Sequence, residues 1–352
     1  MAHGRFDNPV IAALAGVKDF FRKQDLTDRL KETDRADGKT VLITGANSGL
    51  GFGMAVAFAK RGAHVIMACR RQIPEAGEEV KRLSGSDKIE MRYVDFSKIG
   101  TIHDFADALE KDGIHIDILV LNAGVALPES RPTESGLEEM FLVNYMSNVI
   151  LVSRLLASGV VRNKAIAGNA VAGEVPRLLF ISSDSHQGSS YIDHEQFGTY
   201  EKYGVTKGMN YYSYYKLVLN TYATELSRRL NHEGDIDVIV NVMCPGPVDS
   251  KIIKEAPWLL RKILGGIFSI VFKSPEDAAQ PAVYMCISED YAGKTNEYLH
   301  MFNVKKMDEK IYIPEEGKKL WDHTYQVWQQ YDPMAINYLI LAESHTSENP
   351  SA

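Results

Sequence analysis

From Lys39 onward the chain alternates short apolar runs with stretches of helical period, and this alternation restricts the possible folds more than any other feature. KTVLIT (39–44), AHVIMA (63–68), IEMRYV (89–94), IDILVL (116–121), RLLFIS (177–182) and DVIVNVM (237–243) read as strands. Helical patterns lie between them over 50–61, 75–83, about 98–111, 136–159 and 210–230. Strands that are apolar along their length are covered on both faces, which implies parallel pairing with helices on either side. Right-handed crossovers then wind the sheet doubly. The expected layout is a single α/β domain over 39–335, a helical N-terminal extension over 1–38 and a polar tail over 336–352.

TGANSGLG (44–51) stands where the first strand turns into the first helix. Gly45, Gly49 and Gly51 permit a tight turn and close approach of backbone to a pyrophosphate. The helix N-terminus offers free N–H groups and the positive end of its dipole. The spacing differs from the common dinucleotide fingerprint, so a purely structural turn is the alternative reading of this segment alone. At the end of the second strand, where a carboxylate would bind the ribose hydroxyls of NAD, stand Arg70 and Arg71. Guanidinium suits a 2′-phosphate, so NADP is expected ahead of NAD. The rival reading places these arginines on a solvated surface.

YGVTKGMNYYSYYK (203–216) offers two Tyr-x-x-x-Lys frames, Tyr203–Lys207 and Tyr212–Lys216. On a helix this spacing puts a phenol and an ammonium on one face. A neighbouring ammonium is expected to lower the phenol's pKa and so fit it for proton exchange with an alcohol or carbonyl. After Lys216 the sequence runs to Leu230 without Gly or Pro, whereas Gly208 follows Lys207 directly. Asn210 reads as the cap of a helix beginning just after it. Tyr212–Lys216 is therefore the expected frame.

A formal net charge of −7 gives no support to nucleic-acid binding as the main activity. Cys69, Cys244 and Cys286 are widely spaced and form neither a zinc pattern nor a disulfide framework. No metal site is expected, and a reducing, cytoplasmic setting fits. Residues 9–21 and 257–272 are apolar enough to rest on a membrane surface or to pack against the protein or a partner subunit.

The motifs in order resemble the short-chain dehydrogenase/reductase family. Its cofactor turn matches 44–51, its NAG motif matches LNAG (121–124), and its asparagine helix matches VNYMSN (143–148). FISSDSH (180–186) resembles its serine strand, and CPGPVDS (244–250) its PG motif. The C-terminal part, including 256–280, is most similar to the retinol-dehydrogenase-type branch; protochlorophyllide reductases are a more distant cousin.

This resemblance implies a Rossmann-type fold with a C-terminal substrate-pocket segment and hydride transfer with a hydrophobic alcohol or carbonyl. Tyr212 would exchange the proton, Lys216 would support it and hold the ribose, Ser183 would bond the substrate oxygen, and Asn144 would hold a water. Ser182 is the rival of Ser183, because strand alternation alone does not choose between them. The cofactor would be held by Gly45, Asn47, Ser48, Gly49, Leu50, Gly51, Arg70, Arg71, Asp95, Phe96, Asn122, Ala123, Gly124, Pro245, Gly246, Val248 and Ser250, with Tyr212 and Lys216. His186 reads as a loop histidine, and the stretch from 184 to 209 as a lid or wall. Helices 136–159 and 210–230 resemble those that pair subunits into a homodimer. A double-bond reductase and a non-catalytic cofactor-binding scaffold are the alternatives.

Overall fold

A computed structural model describes residues 29–232, 234–246 and 274–338. Eight strands form one sheet: β1 (Thr40–Thr44), β2 (His64–Cys69), β3 (Ile89–Tyr93), β4 (Ile118–Leu121), β5 (Arg177–Ile181), β6 (Ile239–Cys244), β7 (Tyr298–His300) and β8 (Asn303–Val304). Their order is β8-β7-β6-β5-β4-β1-β2-β3. Only β8 runs antiparallel, against β7; the other pairings are parallel. The expected doubly wound parallel sheet is therefore present, extended at one edge by two short strands that the sequence patterns did not disclose.

Strand alternation divides the core into two layers. Leu42, Ile66 and Leu119 point into one layer, and Val41, Ile43 and Val65 into the other. Full burial of each such side chain contributes about 1.5–3 kcal/mol. The second layer holds α1 (Gly49–Lys60) against α6 (Pro275–Ile287). Gly53 makes that approach possible, since a Cβ there would lie 2.1 Å from the Pro275 carbonyl oxygen. Between these come α2 (Glu75–Ser84), α3 (Ile99–Lys111), α4 (Glu139–Ala157) and α5 (Val205–Leu230). Within α4, Leu142–Met146 form a π turn. Although α4 is apolar and long enough to cross a membrane, it is buried inside the protein.

A helix near the C-terminus, α7 (Pro314–Tyr331), packs on α4 and α5. Trp321 stacks on Tyr222 with ring centroids 5.2 Å apart. The Arg229 guanidinium lies 4.4 Å from the Trp321 ring centroid. Tyr145 Oη and Thr324 Oγ1 are 2.6 Å apart, and Ser153 Oγ and Tyr325 Oη 2.9 Å. Every residue from Ser147 to Leu156 and from Tyr215 to Ser227 is buried. Over those lengths neither helix offers an outward face, and α7 packs on both.

Helix α5 starts at Val205, not after Asn210. Gly208 does not break it. The missing side chain lets the helix approach the Leu127 carbonyl, which a Cβ would meet at 2.5 Å. Packing reaches past both expected domain boundaries. Ala36 is buried and donates to the Arg61 carbonyl at 2.9 Å. Tyr338 stacks on Trp328 at 5.5 Å. The apolar segments 9–21 and 257–272 lie outside the described residues.

Candidate active site

The strand order reverses between β1 and β4; in open α/β sheets the crevice beyond the C-terminal strand ends at such a point is where ligands bind. The glycine turn occupies the β1 side. Gly45 and Gly49 have φ of +67° and +57°, in the left-handed region that glycine adopts without strain. A Cβ on Gly51 would sit 2.5 Å from the Gly45 carbonyl oxygen. Ser48 precedes α1 with extended backbone and makes no side-chain cap bond. Leu50 is buried in the second core layer, so the turn is anchored from below. Asn47 Nδ2 donates to Gln72 Oε1 at 2.8 Å, which ties the turn to the loop after β2.

Thr44 joins the two sides, and the sequence patterns did not single it out for this. Its hydroxyl accepts from the amides of Asn122 and Ala123 at 2.8 and 2.9 Å. Asn122 Nδ2 returns a bond to the Thr44 carbonyl at 2.8 Å. A hydroxyl closing an otherwise apolar strand, KTVLIT, was the available signal. Gly124 lies against Asn144, whose Oδ1 a Cβ would meet at 3.2 Å.

At the edge of the crevice, Arg70 reaches Asp95 at 3.4 Å, and Arg71 is exposed. Burial works to raise the Asp95 pKa, but hydrogen bonds from Ser97 and the Arg70 charge bring it below the usual carboxylate range. Phe96 points into the core, so only its backbone is left for a nucleotide. Gly246 has φ of +75° and donates to Cys244 Sγ at 3.4 Å. Pro245 and Gly246 end this described stretch; Val248 and Ser250 lie outside the described residues.

The two Tyr-x-x-x-Lys frames separate clearly. Tyr203 is buried and donates to Glu138 Oε1 at 2.7 Å, while Lys207 is exposed beside Glu201. Tyr212 and Lys216 share a face of α5, with Lys216 Nζ 5.6 Å from the Tyr212 ring centroid. Lys216 donates to the Ile181 carbonyl at 2.9 Å. Ser183 lies near Tyr212 and acts to lower the pKa of its phenol, while its own Oγ accepts from Ser185 N at 3.2 Å. Ser182 is buried, its hydroxyl without a partner among the described residues. Ser183 is thus the serine beside Tyr212.

The electrostatics depart from expectation. Burial raises the Tyr212 pKa above its ordinary value, the Cys244 thiol adds to this, and the Ser183 hydrogen bond opposes it. Burial also brings Lys216 down to about 8. The expected lowering of the phenol by the lysine is not found, because desolvation dominates both groups. The ammonium also engages a carbonyl and lies over the ring.

Asn144 is engaged by the loop after β4. Its Oδ1 accepts from Val125 N at 2.7 Å and its Nδ2 donates to Val125 O at 2.8 Å. Its carbonyl accepts from Asn148 Nδ2 at 3.0 Å. The side chain therefore clamps the loop after β4. The π turn carrying it is a geometry frequent at functional sites.

Behind Ser183, His186 Nδ1 donates to the Ser183 carbonyl at 2.8 Å, and Nε2 accepts from Asp308 N at 3.3 Å. That pattern fixes one neutral tautomer, and burial lowers the His186 pKa. The stretch from 184 to 204 packs against α4 and α7. Phe197 meets Phe141 edge to face at 5.4 Å, and His194 and His323 bring their Nδ1 atoms to 3.2 Å.

Residues 39–177 match the model of the short chain dehydrogenase family. Human retinol dehydrogenase 13 is 30% identical over 81% of this chain and 82% of its own length. The chain belongs to the short-chain dehydrogenase family. Membership makes it an oxidoreductase acting on CH–OH and C=O groups with an NAD(P) cofactor, and its curated relatives include the retinol-dehydrogenase-type branch. Human polyprenol dehydrogenase is 26% identical over 82% of this chain and 84% of its own length. Among solved structures, the Pseudomonas aeruginosa RhlG/NADP active-site complex is similar in fold, with a TM-score of 0.55 and 22% identity over 77% of this chain and 98% of that one. The glycine turn at the switch point suits the family's dinucleotide: it is tight enough that Gly51 has no room for a Cβ, it leads into the N-terminus of α1, and the Ser48 side chain caps nothing there.

Proposed function

We propose that the chain is an NADP-dependent oxidoreductase of hydrophobic alcohols and carbonyls, with Tyr212, Lys216, Ser183 and Asn144 as its working residues. The observation that carries this reading is the meeting of Tyr212, Ser183 and Lys216 beside the crevice. When bound, the nicotinamide supplies or accepts the hydride; the proton is left to the protein. In carbonyl reduction, negative charge builds on the substrate oxygen. Tyr212 gives it a proton, and the Ser183 hydroxyl donates a hydrogen bond to the same oxygen. Burial keeps Tyr212 protonated at neutral pH, the form a general acid needs. In alcohol oxidation Tyr212 would first give up its own proton, and the resulting phenolate would take the proton of the alcohol.

Lys216 is the cation that would hold the ribose and favour the phenolate as the proton leaves. Asn144, clamped to Val125, is a positioning residue for the loop that borders the nicotinamide. The glycine turn with Asn47, Ser48 and Leu50 would carry the phosphates. Asp95 and the Phe96 backbone would flank the adenine, and Asn122, Ala123 and Gly124 the ribose. Pro245, Gly246, Val248 and Ser250 would border the nicotinamide. Arg70 and Arg71 at the crevice edge, without an acidic residue in their place, support NADP over NAD.

Relatives named for retinol and polyprenol support a lipophilic substrate. Such a substrate suits a cytoplasmic enzyme resting at a membrane surface. The test is oxidation of NADPH and NADH with all-trans-retinal, a long-chain aldehyde and a ketosteroid. NADPH-preferring turnover is expected; nucleotide binding without turnover on any of the three would contradict the reading.

A further inference from the structure

Ser183 is held from behind by residues more than a hundred positions further along the chain. Asp184, the next residue, is buried, and its carboxylate is fully engaged. Oδ1 accepts from Gln187 Nε2 at 2.6 Å and from Tyr298 Oη at 3.1 Å, and Oδ2 pairs with Lys305 Nζ at 2.7 Å. The Asp184 amide donates to Cys244 Sγ at 3.2 Å. The backbone carbonyl of Ser183 is taken by His186, which Asp308 holds in turn. Lys305 and Asp308 follow the short edge strands β7 and β8, so the sheet edge carries the clamp.

An ion pair this buried (side chains 7% and 17% exposed) recovers little net stability, because both charges lose water. What it provides is a fixed direction. It joins a carboxylate one residue from Ser183 to a cation anchored on another element. A helix of five residues, Asp184–Gly188, has little rigidity of its own, and Ser183 caps it. Without the pair, the first turn after Ser183 would keep only its neutral hydrogen bonds, to Cys244, His186, Gln187 and Tyr298, and the hydroxyl would be held less firmly near Tyr212.

We propose that Asp184 and Lys305 are positioning residues for the reaction: their ion pair, with Tyr298 and Gln187, sets the Ser183 hydroxyl against Tyr212. The inference rests on the reading of Ser183 as the donor to the substrate oxygen. It concerns geometry that matters most as the oxygen becomes charged, so loss should fall on kcat and not on nucleotide binding.

The experiment compares wild type, Ser183→Ala, Asp184→Asn, Lys305→Gln, Lys305→Arg and the Asp184→Asn/Lys305→Gln double variant. Each is assayed with NADPH and all-trans-retinal, a long-chain aldehyde and a ketosteroid, alongside melting temperature and NADPH affinity by fluorescence. The expected result is a fall in kcat of about ten- to a hundredfold for Asp184→Asn and Lys305→Gln, with NADPH affinity within about twofold of wild type. Lys305→Arg keeps most of kcat, and the double variant loses no more than the worse single one, since the two act as a unit. If Asp184→Asn does not fold, the partly exposed Lys305 still decides. Wild-type kcat in Lys305→Gln, or a fall matched by an equal loss of NADPH affinity, would overturn the inference. If Ser183→Ala also turns over like wild type, the proposed function fails with it. A slow Ser183→Ala beside an unaffected Lys305→Gln removes the inference alone.

Discussion

Lys216 Nζ stands 5.6 Å from the Tyr212 ring centroid and donates to the Ile181 carbonyl at 2.9 Å, so the ammonium bridges the proposed acid helix and the end of β5, two residues before Ser183. Buried cations at this depth are costly, and burial brings the Lys216 pKa down from 10.5 to about 8. The lysine is therefore retained against its own cost to stability, as expected of a working residue.

This gives a signed prediction. Between pH 8 and 10.5 the folded protein has shed the Lys216 proton while the unfolded chain still binds it, so stability rises with pH there. Below pH 8 the full penalty applies, about 3 kcal/mol at 1.36 kcal/mol per pKa unit. Lys216→Met should be more stable than wild type at pH 7 by up to that amount, with the gap narrowing from pH 8 upward. Urea unfolding at several pH values checks this, and the same variant should lose activity.

The cover that α7 places over α4 and α5 makes Trp321 a keystone. It is buried, stacks on Tyr222 and sits under Arg229. Trp321→Ala should cost about 3–5 kcal/mol. It should also expose apolar surface of α5, which light scattering would register as association at a concentration where wild type shows none through this face.

Arg71 is exposed at the crevice edge, while Arg70 shares its charge with Asp95. Arg71→Ala should raise KM for NADPH about tenfold or more and leave KM for NADH nearly unchanged, because only the 2′-phosphate offers a charge-assisted hydrogen bond there. Steady-state kinetics with both nucleotides decides it. Equal effects on the two would count against a 2′-phosphate contact.

Much of this was legible from the sequence because it rests on periodicity. The six long strands and the helices between them carry their patterns openly, and the resemblance set the motifs in order along them. The misses have separate physical causes. Gly208 looked like a helix breaker; its propensity was overridden by the need to approach Leu127. The π turn at Leu142–Met146 inserts a residue into a pattern that otherwise reads as regular helix. Strands of two or three residues, such as β7 and β8, are too short to show a period. Helix α7 did carry a signal: Pro314 at its start, Glu315 and Glu316 in its first turn, and Leu320, Trp321, Tyr325 and Trp328 along one stripe. Its consequence, a covered α4–α5 face, needed the packing. The raised Tyr212 pKa was likewise invisible, since burial outweighs a neighbour's charge only once the depth of the site is known.

The most direct test is Tyr212→Phe, which removes one oxygen and keeps the ring. NADPH oxidation with all-trans-retinal, a long-chain aldehyde and a ketosteroid should fall by about a hundredfold or more, while NADPH affinity and melting temperature stay near wild type. Turnover at the wild-type rate in Tyr212→Phe, on any carbonyl that the wild type reduces, would contradict the account.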